Sequence, residues 1–155
     1  GVDIIELDDA GKMNLIAQYS LVTACDPVIT QGNRSFVTTR AGSSCLGGIN
    51  RLEVLDISDV AGPEVMLTLE MSAPNGLAVS GNDLFICDLQ DGLVRFSITD
   101  DENGLSLSPA YISDIFPCND IILRHDHLIL SHDFGITQVR WSGDEFTVLS
   151  DIERN

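Results

Sequence analysis

Three fifteen-residue segments of this chain align with one another without a gap, and this internal repeat constrains the fold more than any other feature. They are DPVITQGNRSFVTTR (Asp26 to Arg40), NGLAVSGNDLFICDL (Asn75 to Leu89) and NDIILRHDHLILSHD (Asn119 to Asp133). Each opens with Asp or Asn, runs into apolar residues, turns at a polar pair and turns apolar again. The turn pairs are Gly32-Asn33, Gly81-Asn82 and His125-Asp126. The segments start 49 and 44 residues apart, a period expected of propeller blades or solenoid units.

Each copy continues alike. Gly92-Leu93-Val94-Arg95-Phe96 matches Gly135-Ile136-Thr137-Gln138-Val139. In the first copy the equivalent run, Leu52 to Ile57, follows an eight-residue insertion rich in Gly and Ser. A fourth run closes each unit: Val65 to Met71, Leu105 to Ile112 and Phe146 to Leu149. All are short, many alternate polar with apolar or carry β-branched residues, and Gly, Asn and Asp punctuate them. No segment holds a helical period. Four antiparallel strands per unit, at about 45 residues each, predict an all-β chain of β-propeller blades, the first strand innermost and the fourth outermost. A β-sandwich would also give short strands, but has no reason to repeat its sequence.

The expected division is an outer half-blade over 1–22, then whole blades over 23–72, 73–113 and 114–152. Val2 to Leu7 matches a third strand and Leu15 to Tyr19 a fourth, with no first or second before them. That makes fourteen strands, three and a half blades. Exposed inner edges are a pairing hazard. The expectation is therefore part of a larger propeller, its other blades supplied by the rest of a longer parent protein or, less favoured, by a second copy.

Twenty-four acidic against eight basic residues give a formal net charge of −16. Such a surface repels phosphate backbones and anionic membranes, so nucleic acid is not an expected partner. No run approaches 18 apolar residues, so no transmembrane segment is expected in this chain.

Leu52 to Ser58 (LEVLDIS), followed by Pro63, resembles the signature of the LVIVD-repeat β-propeller proteins. The segments CDPVITQGNRSFVTTRAGSSC and SAPNGLAVSGNDLFICDLQDGLVRF look like the C-terminal part of exported, lipoprotein-like members from Bacteroidetes-type bacteria. The likeness covers most of Ala24 to Trp141 and departs at Val139-Arg140-Trp141, where Asp usually follows the third strand. It implies an extracytoplasmic location, at the bacterial surface, in the periplasm or secreted. It implies no reaction.

Blade geometry brings Cys25, ahead of an innermost strand, near Cys45, in the insertion between second and third strands. A disulfide there would close a loop of about 20 residues, worth roughly 3 kcal/mol in the chain-entropy picture, and an exported location permits it. Cys118 occupies the same repeat position as Cys25. Cys87 falls mid-strand and is expected to be a buried free thiol. Cysteine and histidine spacings do not suit zinc.

His125, His127 and His132 lie close in sequence, but the first two flank a turn and the third ends the next strand, about 17 Å away. All three are expected to be solvated turn histidines. The repeat-equivalent Asp26, Asn75 and Asn119 should ring one mouth of the central channel, with Asp88 and Asp133 nearby. Those oxygens could hydrogen-bond a ligand, or simply cap their own backbone. No cofactor is implied; such oxygens could take a divalent cation such as calcium, but the turn Asp100 to Gly104 lacks the regular ligand spacing of a calcium loop. No nucleophile elbow, phosphate loop or dinucleotide fingerprint appears. The expected function is a non-catalytic binding or scaffold module, its loops on one propeller face, the insertion Ala41 to Asn50 among them, contacting a protein or glycan. The alternative is a hydrolase or lyase with a polar, metal-assisted site at the channel mouth.

Overall fold

The structure, a computed structural model, describes residues 1–20, 27–42, 48–114 and 116–154. Cys25, Asp26 and Cys45, and with them the expected Cys25–Cys45 disulfide, lie outside the described residues. Among the described residues every regular element is a β-strand, and no helix is long and apolar enough to cross a membrane.

A two-stranded sheet comes first, β1 (Val2–Leu7) with β2 (Met13–Tyr19). Three four-stranded antiparallel blades follow, each in sequence order. The first holds β3 (Val28–Gln31), β4 (Arg34–Thr39), β5 (Arg51–Asp56) and β6 (Glu64–Glu70). The second holds β7 (Pro74–Ser80), β8 (Asp83–Asp88), β9 (Gly92–Asp101) and β10 (Gly104–Ser113). The third holds β11 (Asp120–Arg124), β12 (His127–His132), β13 (Gly135–Ser142) and β14 (Glu145–Glu153).

The pairing carries a signature that identifies β1 and β2. In each blade the third and fourth strands slip register once, with one extra residue on the fourth: Met66, Ala110 and Leu149. The β1–β2 pair slips in the same way at Ile16. Such a β-bulge sharpens the local twist of an outer hairpin. The first two strands so form the outer half of a blade, as the repeat predicts.

Period-two alternation sorts side chains between the two faces of each blade. In β8, Leu84 and Ile86 face the preceding blade, where they meet Phe36, Leu52 and Val54. Phe85 and Cys87 face the following blade and meet Ile121, Leu128 and Leu130. Both faces of the middle blade are therefore covered, which is why its inner strands read as nearly continuous apolar runs. The innermost strands approach one another directly, β3 to β7 and β7 to β11. Gly76 N–H donates to Asn119 O across the second gap (3.2 Å), and Thr38 Oγ1 to Asn75 O across the first (2.6 Å). Gly76 has to be glycine, because a Cβ there would sit 2.5 Å from the Cα of Asp120.

The inner hairpins turn at a residue with left-handed backbone: Gly32 (φ +59°), Gly81 (+58°) and, at the same repeat position, His125 (+59°). One positive φ at the first central position is the geometry that matches strand twist in a two-residue hairpin.

Candidate functional site

A cavity of about 350 Å³ opens between the second and third blades, at the end of the sheets where the innermost strands begin. It forms because three chain segments meet there. The end of β8 and the loop after it contribute Asp88 and Gln90, the link from β10 to β11 contributes Asp114 and Asn119, and the end of β12 with the turn after it contributes His132, Asp133 and Phe134.

Asn119 and Asp133, both expected at the channel mouth, are joined: Asn119 Nδ2 donates to Asp133 Oδ1 at 2.7 Å. The Asn119 backbone is held too, its N–H donating to Ser131 O (2.6 Å) and its carbonyl accepting from Gly76. Asp88 lines the same cavity, but its buried carboxylate is occupied. Oδ2 accepts from Ala73 N–H (2.8 Å) and Oδ1 from the N–H groups of Gln90 (2.9 Å) and Asp91 (3.2 Å). Asp88 thereby shapes the loop that carries Gln90. Asn75 is not among the lining residues; it sits on β7 of the second blade, where its carbonyl takes the bond from Thr38 of the first. Asp26 is outside the described residues.

His132 corrects the sequence reading. Its side chain is 9% exposed, not solvated, because the face of β12 that carries it packs toward the second blade. Phe134 N–H donates to Nδ1 (3.3 Å), so the network assigns the ring proton to Nε2, which donates to Thr137 Oγ1 (3.0 Å). Thr137 Oγ1 in turn donates to Asp151 Oδ1 (3.0 Å). The ring is thus locked by both nitrogens. His125 and His127 lie at the other end of β12, His127 against Asp126 at 2.6 Å.

Cys87 is a second correction. It is buried, as expected, but it is bonded to Cys118 rather than free. Cys118 is itself a wall of the cavity, so the disulfide ties the second blade to the segment that positions Asn119. Phe134, at the rim, is 71% exposed. Gln90, Asp114 and Phe134 were missed by sequence reasoning, and His132 was set aside as a solvated turn residue. Three of them adjoin or flank residues the repeat singled out, and only the meeting of two blades brings them together.

The cavity lining carries the carboxylates of Asp88, Asp114 and Asp133 and no Lys or Arg. Its potential favours neutral or cationic ligands over anions. Among the described residues no three His, Cys, Asp or Glu side chains converge as a metal site. The acidic turn Asp101–Gly104 is a hairpin turn in which Asn103 N–H donates to Asp101 Oδ1 (2.8 Å), and Asp100 pairs with Arg34 of the preceding blade. No protein-family model matches the chain, and no curated protein matches it.

Proposed function

We propose that this chain is a non-catalytic binding module that holds a hydroxyl-rich ligand, a glycan unit, in the cavity between its second and third blades. One observation carries the reading: an exposed aromatic face, Phe134, stands beside a fixed set of amide and carboxylate groups around a 350 Å³ hollow. Sugar rings present apolar C–H faces that stack on an aromatic ring. Their hydroxyls both donate and accept, which suits Asn119, Asp133 and Gln90. The acidic lining selects neutral or amino sugars over uronic acids or phosphates. His132 supports binding over catalysis, because both ring nitrogens are engaged and neither is left to move a proton.

The same reading places the module outside the cytoplasm of a bacterium, in an LVIVD-type propeller protein. An inter-blade disulfide suits an oxidising compartment. The test is a thermal-shift screen of the purified chain against neutral, amino and acidic saccharides, repeated with Asn119→Ala. Stabilisation by neutral or amino sugars, lost in the variant, is the expected result. Stabilisation by acidic sugars alone, or by none, would refute the glycan reading.

A further inference from the structure

Aromatic rings fill the outer part of the gap between the second and third blades. Tyr111 directly follows the bulged Ala110 on β10, and Phe146 lies three residues before the bulged Leu149 on β14. Phe116 stands in the link, three residues before Asn119. The rings pack in series, Tyr111 on Phe146 with 4.3 Å between centroids and Phe116 on Phe146 with 6.2 Å. In the gap between the first and second blades the repeat places Leu67, Leu107 and Ser72 at these three positions. Two smaller apolar side chains and a hydroxyl supply too little volume to reach interior packing density. A cavity of about 240 Å³ opens there, with Ser72 in its wall.

We propose that this cavity binds a small organic cation, an aromatic ring carrying an ammonium group on a short chain. Its floor is apolar. Val94 and Phe96, 3% and 5% exposed, belong to the core between the two blades, and Met71 packs against that core. Ile112 on β10, 60% exposed, flanks the opening. A ring in the place of Phe116 covers this surface, and the burial of apolar area drives it there.

Charge selects the head group. Glu70 and Asp91 are the ionisable residues of the lining. Among the described residues neither pairs with Lys, Arg or His. Asp91 is held in place: its N–H donates to the Asp88 carboxylate (3.2 Å), and its Oδ2 accepts from Ser72 Oγ at 2.5 Å. A carboxylate has about four acceptor sites, so one serine leaves capacity for an ammonium group. The carboxylate is already ordered, so fixing it on binding costs little. A charge-assisted hydrogen bond anchors a cation there, and both carboxylates repel an anion.

The probes are phenethylamine, phenethyl alcohol and hydrocinnamate, one ring with a cationic, neutral or anionic head. Each is titrated to millimolar concentration into the whole chain at neutral pH and followed by amide NMR. Expected are saturable shifts at Glu70, Met71, Ser72, Asp91, Val94 and Ile112. The amine should bind roughly tenfold more tightly than the alcohol, the advantage of one charge-assisted hydrogen bond, and the acid should not bind. Asp91→Asn keeps an oxygen for Ser72 but removes the charge. It should bring the amine down to the level of the alcohol and leave the alcohol unchanged. Ser72→Phe, which supplies the ring that Phe116 supplies to the next gap, should abolish binding of both. Absence of saturable shifts with the amine would overturn the proposal. So would equal affinity for all three probes, or shifts centred on Asn119 and Phe134. Full amine affinity in Asp91→Asn would overturn it as well, and that variant decides the matter if Ser72→Phe does not fold.

Discussion

Cys87 on β8 is bonded to Cys118, 31 residues later and just ahead of β11, so the bridge spans two blades instead of closing a loop inside one. It lies at the end of the sheets where the polar cavity opens, and it fixes the segment on which Asn119 sits.

Cross-linking residues 31 apart removes loop-closure entropy worth about 3–4 kcal/mol from the unfolded chain. Cys118→Ala, which leaves no bridge at this site, should lower the urea-unfolding free energy by that amount. Cys87→Ala should cost at least as much, since it also loosens the packing around Phe85. Equilibrium denaturation of each variant beside the oxidised chain gives the comparison, and peptide mapping by mass spectrometry verifies the pairing.

His125 holds a left-handed backbone that Gly32 and Gly81 adopt in the other two blades. A non-glycine residue pays for that conformation with roughly 1 kcal/mol of steric strain. His125→Gly should therefore stabilise the chain by about 0.5–1 kcal/mol, despite the added freedom of the unfolded state. A lower melting temperature would contradict the turn geometry.

Arg95 reaches out of the second blade into the third. It donates to Gly143 O, meets Asp144 Oδ1 at 2.5 Å and lies 5.9 Å from the Trp141 ring centre. Asp144 is exposed, so its ion pair is screened, whereas the Arg95 stem and its bond to Gly143 are buried. Arg95→Ala should cost about 2 kcal/mol through lost packing and hydrogen bonding. Asp144→Asn should cost less than about 0.5 kcal/mol. Denaturant titration of the two variants separates packing from charge.

Burial, and after it the Glu53 carboxylate that accepts the Tyr19 hydroxyl bond at 3.2 Å, raises the Tyr19 pKa above the usual 10.0, with Arg51 pulling the other way. The folded state then holds a proton that the unfolded chain releases above pH 10.0, so stability is intact below that pH and falls as pH rises through the folded value. Tyr19→Phe should flatten this alkaline loss. Ultraviolet titration of the phenols should show a group that ionises late in the parent chain and is absent from the Tyr19→Phe variant.

The strands were legible because two signals agreed: alternation at period two, and turn residues at fixed offsets within the repeat. Even the half-blade at β1 and β2 was readable, since Val2 to Leu7 carries a third-strand pattern. The disulfide was not readable. Cys87 and Cys118 occupy different phases of the repeat, and what brings them together is the contact of neighbouring blades. A repeat alignment reports equivalence within units and says nothing of distance between them. His132 escaped for the same reason, as its burial comes from the opposing sheet. Asn119, Asp133 and Asp88 were nameable because blade topology sends equivalent residues to one end. Whether a side chain there was spent on its own loop, as Asp88 is, depends on hydrogen bonds the sequence does not display.

The central claim is that the cavity beside Asn119, Asp133 and Phe134 binds a sugar. Amide NMR titration of the whole chain with the best neutral or amino saccharide tests it most directly. The account predicts saturable shifts confined to the Asp88 loop, Asp114, Asn119 and the His132–Phe134 turn. It also predicts that Asn119→Ala and Phe134→Ala each weaken binding roughly tenfold, the loss of one hydrogen bond or one stacking face. Shifts centred elsewhere, or full affinity in both variants, would contradict it.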